Sequence, residues 1–207
     1  MKYNWPKFKL CRREGVNLYW TPKYDPRKRK KTPGQHWGSM PRLSEYWKLL
    51  RNKQVLKRMY LLTEKQFKRT IIDEAWKYSK NKWISHDVAA LQFLERRLDS
   101  VLLRAGVANT IMQARQMIGH WHFLLNWNKH NSSSYFAKIW DKLTLKPKLV
   151  SSPLYSNLPL NSWNYKLPSW INVKKDSMEV ELLDFPRSEE LELPADILKV
   201  IEFYARA

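Results

Sequence analysis

Lysine and arginine side chains are the most numerous groups in this 207-residue sequence that could do chemistry, 38 in all against 19 Asp and Glu. Their chemistry would be the binding of phosphate, because a formal net charge of +19 favours a polyanionic partner. Residues 1–84 carry 23 Lys and Arg against 6 Asp and Glu, whereas residues 151–207 carry 6 against 9. This asymmetry is typical of a protein whose affinity depends on phosphate contacts, and it predicts that the acidic C-terminal segment faces away from a nucleic acid.

Residues 1–40 are predicted to form an extended basic arm, because four prolines interrupt any helix there. Five consecutive cations occupy residues 27–31. Tyr, Trp and Phe are interleaved with the charges. A disordered tail is poor in aromatic residues, whereas an RNA-bound arm can stack them on bases. The pattern therefore favours an RNA-binding arm, with a solvated charge run as the alternative.

Two helices with basic outer faces are predicted after the arm. The first begins near Pro41, where apolar residues start to recur at helical spacing. Its predicted inner face consists of Leu43, Trp47, Leu50, Val55 and Met59. The second begins at the capping box of Thr63 and Gln66. Its predicted inner face consists of Phe67, Ile71 and Ala75.

Further helices and a small sheet are predicted beyond residue 86. One helix should span Asp87–Arg104 and end at Gly106. A shorter one should begin at the capping box of Thr110 and end at Gly119. The apolar period then shortens, which indicates antiparallel strands. The predicted strands lie at residues 122–126, 135–140, 142–145, 170–173 and 178–182.

The remaining segments are a loop and a terminal helix. Residues 146–169 are rich in Pro, Ser and Asn, which predicts a long surface loop. The last helix should open at Pro194 and place Ile197, Ile201 and Tyr204 on one side.

Several classes of partner are excluded by the composition. Cys11 is the only cysteine, so the chain cannot build a disulfide framework or a multi-cysteine zinc site by itself. His120 and His122 could share a metal, but no third ligand lies at a suitable spacing, and RNA contact or packing is the preferred interpretation. No run of about 18 apolar residues exists for a membrane span. The sequence predicts no cofactor, no metal, no membrane partner and no small-molecule substrate.

Four stretches follow one another in a characteristic order. They are Cys11-Arg-Arg-Glu-Gly15; Pro33-Gly-Gln-His36; Pro41-Arg-Leu-Ser-Glu-Tyr46 through Arg51-Asn-Lys-Gln54 to Glu64-Lys-Gln-Phe67; and Leu94-Glu-Arg-Arg-Leu-Asp99 through Ala114-Arg-Gln116 to His120. Together with the C-terminal Val200-Ile-Glu-Phe-Tyr204, they resemble the family of ribosomal protein four of the small subunit, in its bacterial and organellar form. The resemblance covers nearly all of the chain.

The resemblance implies an α+β fold in three parts. A basic N-terminal arm would occupy residues 1–40, an all-helical domain residues 41–92 plus 190–207, and an inserted α/β RNA-binding domain with an antiparallel sheet residues 93–189. It also implies a structural protein, not an enzyme, that binds small-subunit rRNA at a multi-helix junction in the 5′ part of that RNA, early in assembly. Its expected neighbours are messenger RNA, where it enters its channel, and small-subunit proteins three and five.

An A-form RNA junction is recognised by its shape and phosphates, which requires cations on rigid helices and on basic arms. Arginine is favoured where it can bind a phosphate through two nitrogens. The predicted RNA-binding residues are Lys7, Lys9, Arg12, Arg13, Arg27, Lys28, Arg29, His36, Arg42, Tyr46, Arg51, Lys53, Lys57, Arg58, Arg69, Arg97, Arg115, Gln116, His120 and His122.

The sequence departs from the family at two points. Some members bind zinc through several cysteines in the arm, one of which matches Cys11, but Lys9 and the other arm positions supply no partner here. The family usually has Val-Asn-Gly after the strand that contains histidine, where this chain has Leu125-Asn-Trp127. Because tryptophan disfavours a positive φ, this turn is expected to have changed its conformation and its RNA contacts.

Two rival functions are carried forward. Arg97-Leu-Asp99 matches a motif of pseudouridine synthases, in which the Asp is catalytic, so an RNA-modifying enzyme is one alternative. Asp99 lies in a predicted helix, however, and pairing with a neighbouring arginine is its expected role. A free translational regulator that binds messenger RNA is the other alternative.

The tryptophan content bears on the compartment, since the chain has 11 Trp and only 5 Gly. Tryptophan enrichment is natural where the codon UGA is read as tryptophan. Together with the altered glycine turn, it predicts a protein of the mitochondrial ribosome, encoded by the organelle, with a plastid as the alternative.

Overall fold

The computed structural model describes residues 6–19, 31–35, 43–155, 158, 166–175, 177–191 and 193–206. The chain is an α+β protein with two compact units. We call Met1–Ala90 with Glu192–Ala207 the helical unit, and Leu91–Leu191 the sheet unit. Among the described residues, no helix is long and apolar enough to cross a membrane.

Six α-helices contain described residues of the helical unit. They are α1 (Lys7–Glu14), α2 (Glu45–Met59), α3 (Glu64–Lys68), α4 (Ala75–Lys82), α5 (His86–Glu95), which continues into the sheet unit, and α8 (Ile197–Arg206). A π-helical turn, Arg69–Glu74, joins α3 to α4. The helix α1 lies in the segment predicted to be extended, so that prediction is wrong for these eight residues. Pro6 precedes the first turn, where a proline does not interrupt the backbone hydrogen bonds of a helix.

The inner faces of α2 and α8 differ in part from the prediction. Val55 and Met59 are buried as expected, but Leu43 and Trp47 are exposed. In α8 the buried residues are Ile197, Val200 and Phe203, whereas the predicted Ile201 and Tyr204 are only partly covered. The two helices pack together, with the rings of Tyr46 and Phe203 5.6 Å apart. Trp47 is exposed because α2 does not turn this side chain towards α8.

The capping box before α3 is confirmed. The backbone N–H of Gln66 donates to Thr63 Oγ1, and the N–H of Thr63 donates to Gln66 Oε1, both over 3.3 Å. Phe67, Ile71 and Ala75 are all fully buried, as predicted. The capping box and the apolar spacing depend on residues that are close together in the chain. The sequence therefore predicted the start and the buried face of this helix correctly.

The helix predicted over Asp87–Arg104 is interrupted. It forms α5 and α6 (Leu98–Arg104), with Arg97 in an extended conformation between them. Arg97 bridges to Phe136, and the backbone N–H of Ala137 donates to the carbonyl oxygen of Arg96 over 2.8 Å. The apolar spacing continues through the break, so periodicity alone did not reveal it. The next helix, α7 (Ile111–Gly119), has the predicted Thr110 cap.

The described residues of the sheet unit form one antiparallel sheet of five strands, in the order β2-β1-β3-β5-β4. They are β1 (Phe123–Leu125), β2 (Asn128–Lys129), β3 (Lys142–Leu145), β4 (Ile171–Lys174) and β5 (Glu179–Leu182). Four predicted strands correspond to β1, β3, β4 and β5, but residues 135–140 make only the bridge at Phe136. Side chains from α6, α7 and the inner sheet face form one core, which includes the fully buried Trp170.

The turn at Trp127 has the positive φ that tryptophan disfavours. Leu125 pairs with Asn128, so Asn126 and Trp127 form a two-residue hairpin loop with φ values of 48° and 68°. Asn126 Oδ1 accepts from the backbone N–H of Lys142 over 2.9 Å and fixes the loop to β3. The expectation that tryptophan avoids a positive φ here is therefore wrong, whereas changed RNA contacts of this turn stay a prediction. The left-handed conformation itself costs an L-residue about 1–2 kcal/mol.

Candidate nucleic-acid interface

A groove of about 420 Å³ in the helical unit gathers several of the predicted cations. Its lining residues are Lys9, Leu10, Arg13, Pro33, Leu50, Arg51, Gln54 and Arg58. Lys9 and Arg13 lie on α1 and are exposed, whereas Arg51 and Arg58 lie on α2 and are partly covered. We call this feature the cationic groove.

A buried carboxylate holds two of the groove arginines. The side chain of Glu14 is 1% exposed and accepts hydrogen bonds from Arg51, over 3.2 Å, and from Arg58. Charge-assisted bonds of this kind restrict a guanidinium to one orientation. Since four cations line the groove and one carboxylate pairs with them, the groove keeps an excess of positive charge. An excess of positive charge in a groove attracts anions.

Lys53 and Lys57 bind a carboxylate of their own protein. Their Nζ atoms lie 2.7 Å and 2.8 Å from the two oxygens of Glu64. Lys53 is only 7% exposed, and its Nζ lies 4.3 Å from the centre of the Phe203 ring on α8. Lys53 is therefore held inside the helical unit, and its assignment to RNA binding stays a prediction.

The pKa of Glu64 reflects this cluster. Partial burial alone would raise it, but hydrogen bonds from Lys53, Lys57 and Tyr204 lower it from 4.5 to about 2. A carboxyl group whose pKa is lower in the folded state stabilises the fold above the unfolded value, and this stabilisation is lost as pH falls.

Replacement of Glu64 by glutamine is expected to remove a contribution to the stability of the helical unit that depends on pH. That contribution is complete above pH 4.5 and is lost as pH falls towards about 2. Thermal unfolding of the original protein and of E64Q, measured between pH 7 and pH 2.5, should give midpoints that converge as pH falls. E45Q is the matched control, because Glu45 on α2 is 82% exposed. A constant difference between E64Q and the original protein would contradict the assignment.

The other predicted residues of the helical unit differ in accessibility. Lys7 is exposed, and Arg12 Nε donates to the backbone oxygen of Lys31 over 3.0 Å. Arg69 is largely exposed, although its Nε lies 2.9 Å from Glu74, and Tyr46 is also exposed. The exposed Lys80 and Lys82 in the last turn of α4 were not singled out from the sequence. Arg27, Lys28, Arg29, His36 and Arg42 lie outside the described residues.

In the sheet unit, Asp99 is the centre of a buried ionic network. Its Oδ1 accepts from Arg97 Nε over 3.2 Å and from the backbone N–H of Ser100 over 3.0 Å. Its Oδ2 accepts from Arg115 Nε over 2.6 Å. Arg97 is only 5% exposed, whereas Arg115 remains partly exposed. Direct RNA binding by Arg97 stays a prediction. Both oxygens of Asp99 are therefore engaged, Oδ1 within the start of α6 and Oδ2 with Arg115 on α7.

The end of α7 presents polar side chains at the surface of the sheet unit. Gln116 and His120 are exposed, and His122 is partly buried, with Nδ1 2.7 Å from the hydroxyl of Tyr155. Burial, with the positive charges of His120 and Lys146, lowers the pKa of His122 and favours its neutral form. Among the described residues, no group of three or more His, Cys, Asp or Glu side chains is placed to hold a metal ion.

A cationic groove together with exposed lysines on α3 and α4 is typical of an RNA-binding protein, because cations on helices can contact the phosphates of a folded RNA. Residues 2–95 match the family model of the ribosomal protein S4/S9 N-terminal domain, and residues 96–141 match that of the S4 domain. The chain thus belongs to the ribosomal protein S4 family, which confirms the resemblance found in its sequence.

Named relatives extend this match over the full chain. The small ribosomal subunit protein uS4 of Kosmotoga olearia is 36% identical over 211 residues, and that of Petrotoga mobilis is 36% identical over 213 residues. That of Thermotoga maritima is 35% identical over 212 residues. Each alignment covers 99% of both chains. The chain is therefore a structural component of the small ribosomal subunit that binds its rRNA.

The relatives correct the predicted compartment. They are bacterial proteins, and this relationship points to a bacterial ribosome. The prediction of a mitochondrial protein is wrong. It rested on a high tryptophan content and an altered glycine turn, neither of which is a property of organelles alone.

Proposed function

We propose that the cationic groove and the exposed cations of α3 and α4 bind the phosphates of a multi-helix junction in the 5′ part of the small-subunit RNA. The main support for this proposal is the pairing of the buried Glu14 carboxylate with Arg51 and Arg58, which holds both arginines in place before any RNA is present. A cation that is already oriented loses less conformational freedom on binding. Such a site suits a protein that joins the RNA early in assembly.

The proposed domain organisation assigns different tasks to the parts of the chain. Residues 1–40 act as a basic arm, and residues 41–92 with 190–207 form the helical domain that carries most of the charge. Residues 93–189 form the α/β RNA-binding domain, in which Arg115, Gln116 and His120 are the exposed or partly exposed candidates. The neighbours in this proposal are messenger RNA, where it enters its channel, and small-subunit proteins three and five.

Removal of two groove charges is expected to weaken RNA binding and to reduce its dependence on salt. In the double variant K9Q/R13Q, both residues are exposed, so the fold should remain intact. Each phosphate contact contributes about 0.7–0.9 to the slope of log K against log salt concentration, so the slope should decrease by about 1.5. Filter binding to the 5′ part of the small-subunit RNA, over a range of salt concentrations, measures both quantities.

The double variant K199Q/R206Q is the matched control, because both cations are exposed on α8 of the same unit and lie outside the cationic groove. It removes the same formal charge and should leave the slope nearly unchanged. Equal slope changes in the two double variants would show that total charge, and not the groove, determines binding.

We further propose that the chain has no enzymatic activity. Asp99, the candidate catalytic residue, has both carboxylate oxygens engaged by Arg97, Ser100 and Arg115 and offers no free oxygen to a substrate. Incubation with small-subunit RNA should produce no pseudouridine, and its appearance would contradict this proposal.

Sedimentation of ribosomal subunits distinguishes a structural component, which is stoichiometric with the subunit, from a free regulator, which is not.

A further inference from the structure

Four tryptophans have a left-handed backbone and an exposed side chain. Their φ values are 55° at Trp83, 55° at Trp121, 68° at Trp127 and 71° at Trp140. Their side chains are between 47% and 95% exposed. Tryptophan is large and rarely adopts this conformation, in which glycine has no steric penalty.

Two of these tryptophans end helices in positions that glycine usually occupies. At the end of α7, the N–H of Trp121 donates to the carbonyl of Ile118, and the N–H of His122 donates to that of Met117, both over 2.9 Å. This pair of bonds is the Schellman motif, whose left-handed residue is most often glycine. Trp83 has the equivalent place after α4, and its N–H donates to the carbonyl of Ser79.

The other two tryptophans occupy tight turns with the same requirement. Trp127 is the second residue of the two-residue hairpin loop, where Asn-Gly is the preferred sequence. Trp140 is the third residue of a turn closed by the hydrogen bond from the N–H of Asp141 to the carbonyl of Lys138, over 3.1 Å. A positive φ at the third residue defines a type II turn, which favours glycine there.

Two glycines of the same chain have this left-handed conformation at comparable positions. Gly15 ends α1 with φ 72°, and Gly106 follows α6 with φ 71°. Leu61 and Met178 also have a positive φ, but their side chains are buried, so packing can offset the strain. The four tryptophans are far less covered, because their side chains are between 47% and 95% exposed.

We propose that the protein made in its own cells carries glycine at positions 83, 121, 127 and 140, because those cells read the codon at these positions as glycine. The meaning of UGA differs between genetic systems, so one reassigned codon can place tryptophan in a sequence translated with the wrong code. The scarcity of glycine beside an excess of tryptophan, 5 against 11, agrees with this explanation. The proposal is independent of the role of the cationic groove.

Trp170 provides an internal control. It is 1% exposed, has no positive φ and fills the core of the sheet unit. A glycine would leave a cavity there, so Trp170 is a genuine tryptophan in this proposal, encoded by UGG. Stacking of exposed tryptophans on unpaired RNA bases would explain their exposure. It would not explain why all four lie where the backbone favours glycine.

Mass spectrometry of the chain from purified native small subunits tests the proposal. Tryptic peptides 83–96 and 116–129 cover three of the positions, and peptide 130–142, obtained when Lys138 is uncut, covers position 140. Each should have the mass and fragment series of glycine at these positions, while peptide 167–174 should retain Trp170. The gene should carry UGA at the four positions and UGG at position 170. Tryptophan in any of the four positions, or UGG in their codons, would overturn the proposal.

Discussion

Asparagine in place of Asp99 is expected to destabilise the sheet unit by about 3–5 kcal/mol, the usual loss when one partner of a buried ion pair is removed. Asp99 is the shared acceptor of Arg97 and Arg115, and its Oδ1 also accepts from the backbone of Ser100. The amide that replaces it carries no charge and has only one acceptor oxygen. Arg97, at 5% exposure, would keep a positive charge with no nearby counter-charge from this network.

Denaturant unfolding of the full chain, followed by a signal from the sheet unit, measures this loss. D184N is the control, because Asp184 is half-exposed and its Arg187 partner is also on the surface, where ion pairs contribute about 0–1 kcal/mol. A D99N variant as stable as D184N would show that the network does not hold the two helices. Loss of RNA binding without loss of stability would instead place Asp99 in a functional site.

The interruption at Arg97 shows where sequence patterns reach their limit. The apolar spacing of α5 and α6 is continuous, and each residue in it is compatible with one long helix. The break is stabilised by partners that are distant along the chain, since Arg96 binds the carbonyl of Ala137 and Arg97 bridges to Phe136. Local capping signals, such as that of Thr63, were in contrast predicted correctly because all their atoms lie within one helical turn.

The sequence predicted only part of the candidate interface, because contacts between residues distant along the chain decide which cations are exposed. Counting cations located the basic surface, but it could not distinguish exposed Lys9 and Arg13 from Lys53, which an acidic residue holds in the interior. Nor could it identify Glu14 as the residue that orients Arg51 and Arg58, which follow it by 37 and 44 positions. Charge composition predicts a partner, whereas the pairing of charges depends on the tertiary fold.

Glycine at positions 121, 127 and 140 together is expected to raise the unfolding free energy of the sheet unit by about 3 kcal/mol. At each position glycine relieves about 1–2 kcal/mol of left-handed strain. It also gives the unfolded chain more freedom, which costs about 0.4–1 kcal/mol. The net gain is roughly 1 kcal/mol per site, so a unit of about 100 residues should melt on the order of 10 °C higher.

In the control variants, tryptophan is replaced by glycine at positions where the backbone does not favour glycine. W76G lies in α4 with a half-exposed side chain, and it should lower stability by about 1 kcal/mol through loss of helix propensity. W170G removes a fully buried side chain and should cost the sheet unit at least 3–5 kcal/mol. Stabilisation confined to the left-handed positions would identify backbone strain as the cause. A loss of stability in the triple glycine variant would instead show that the exposed indoles contribute contacts worth more than the strain they impose.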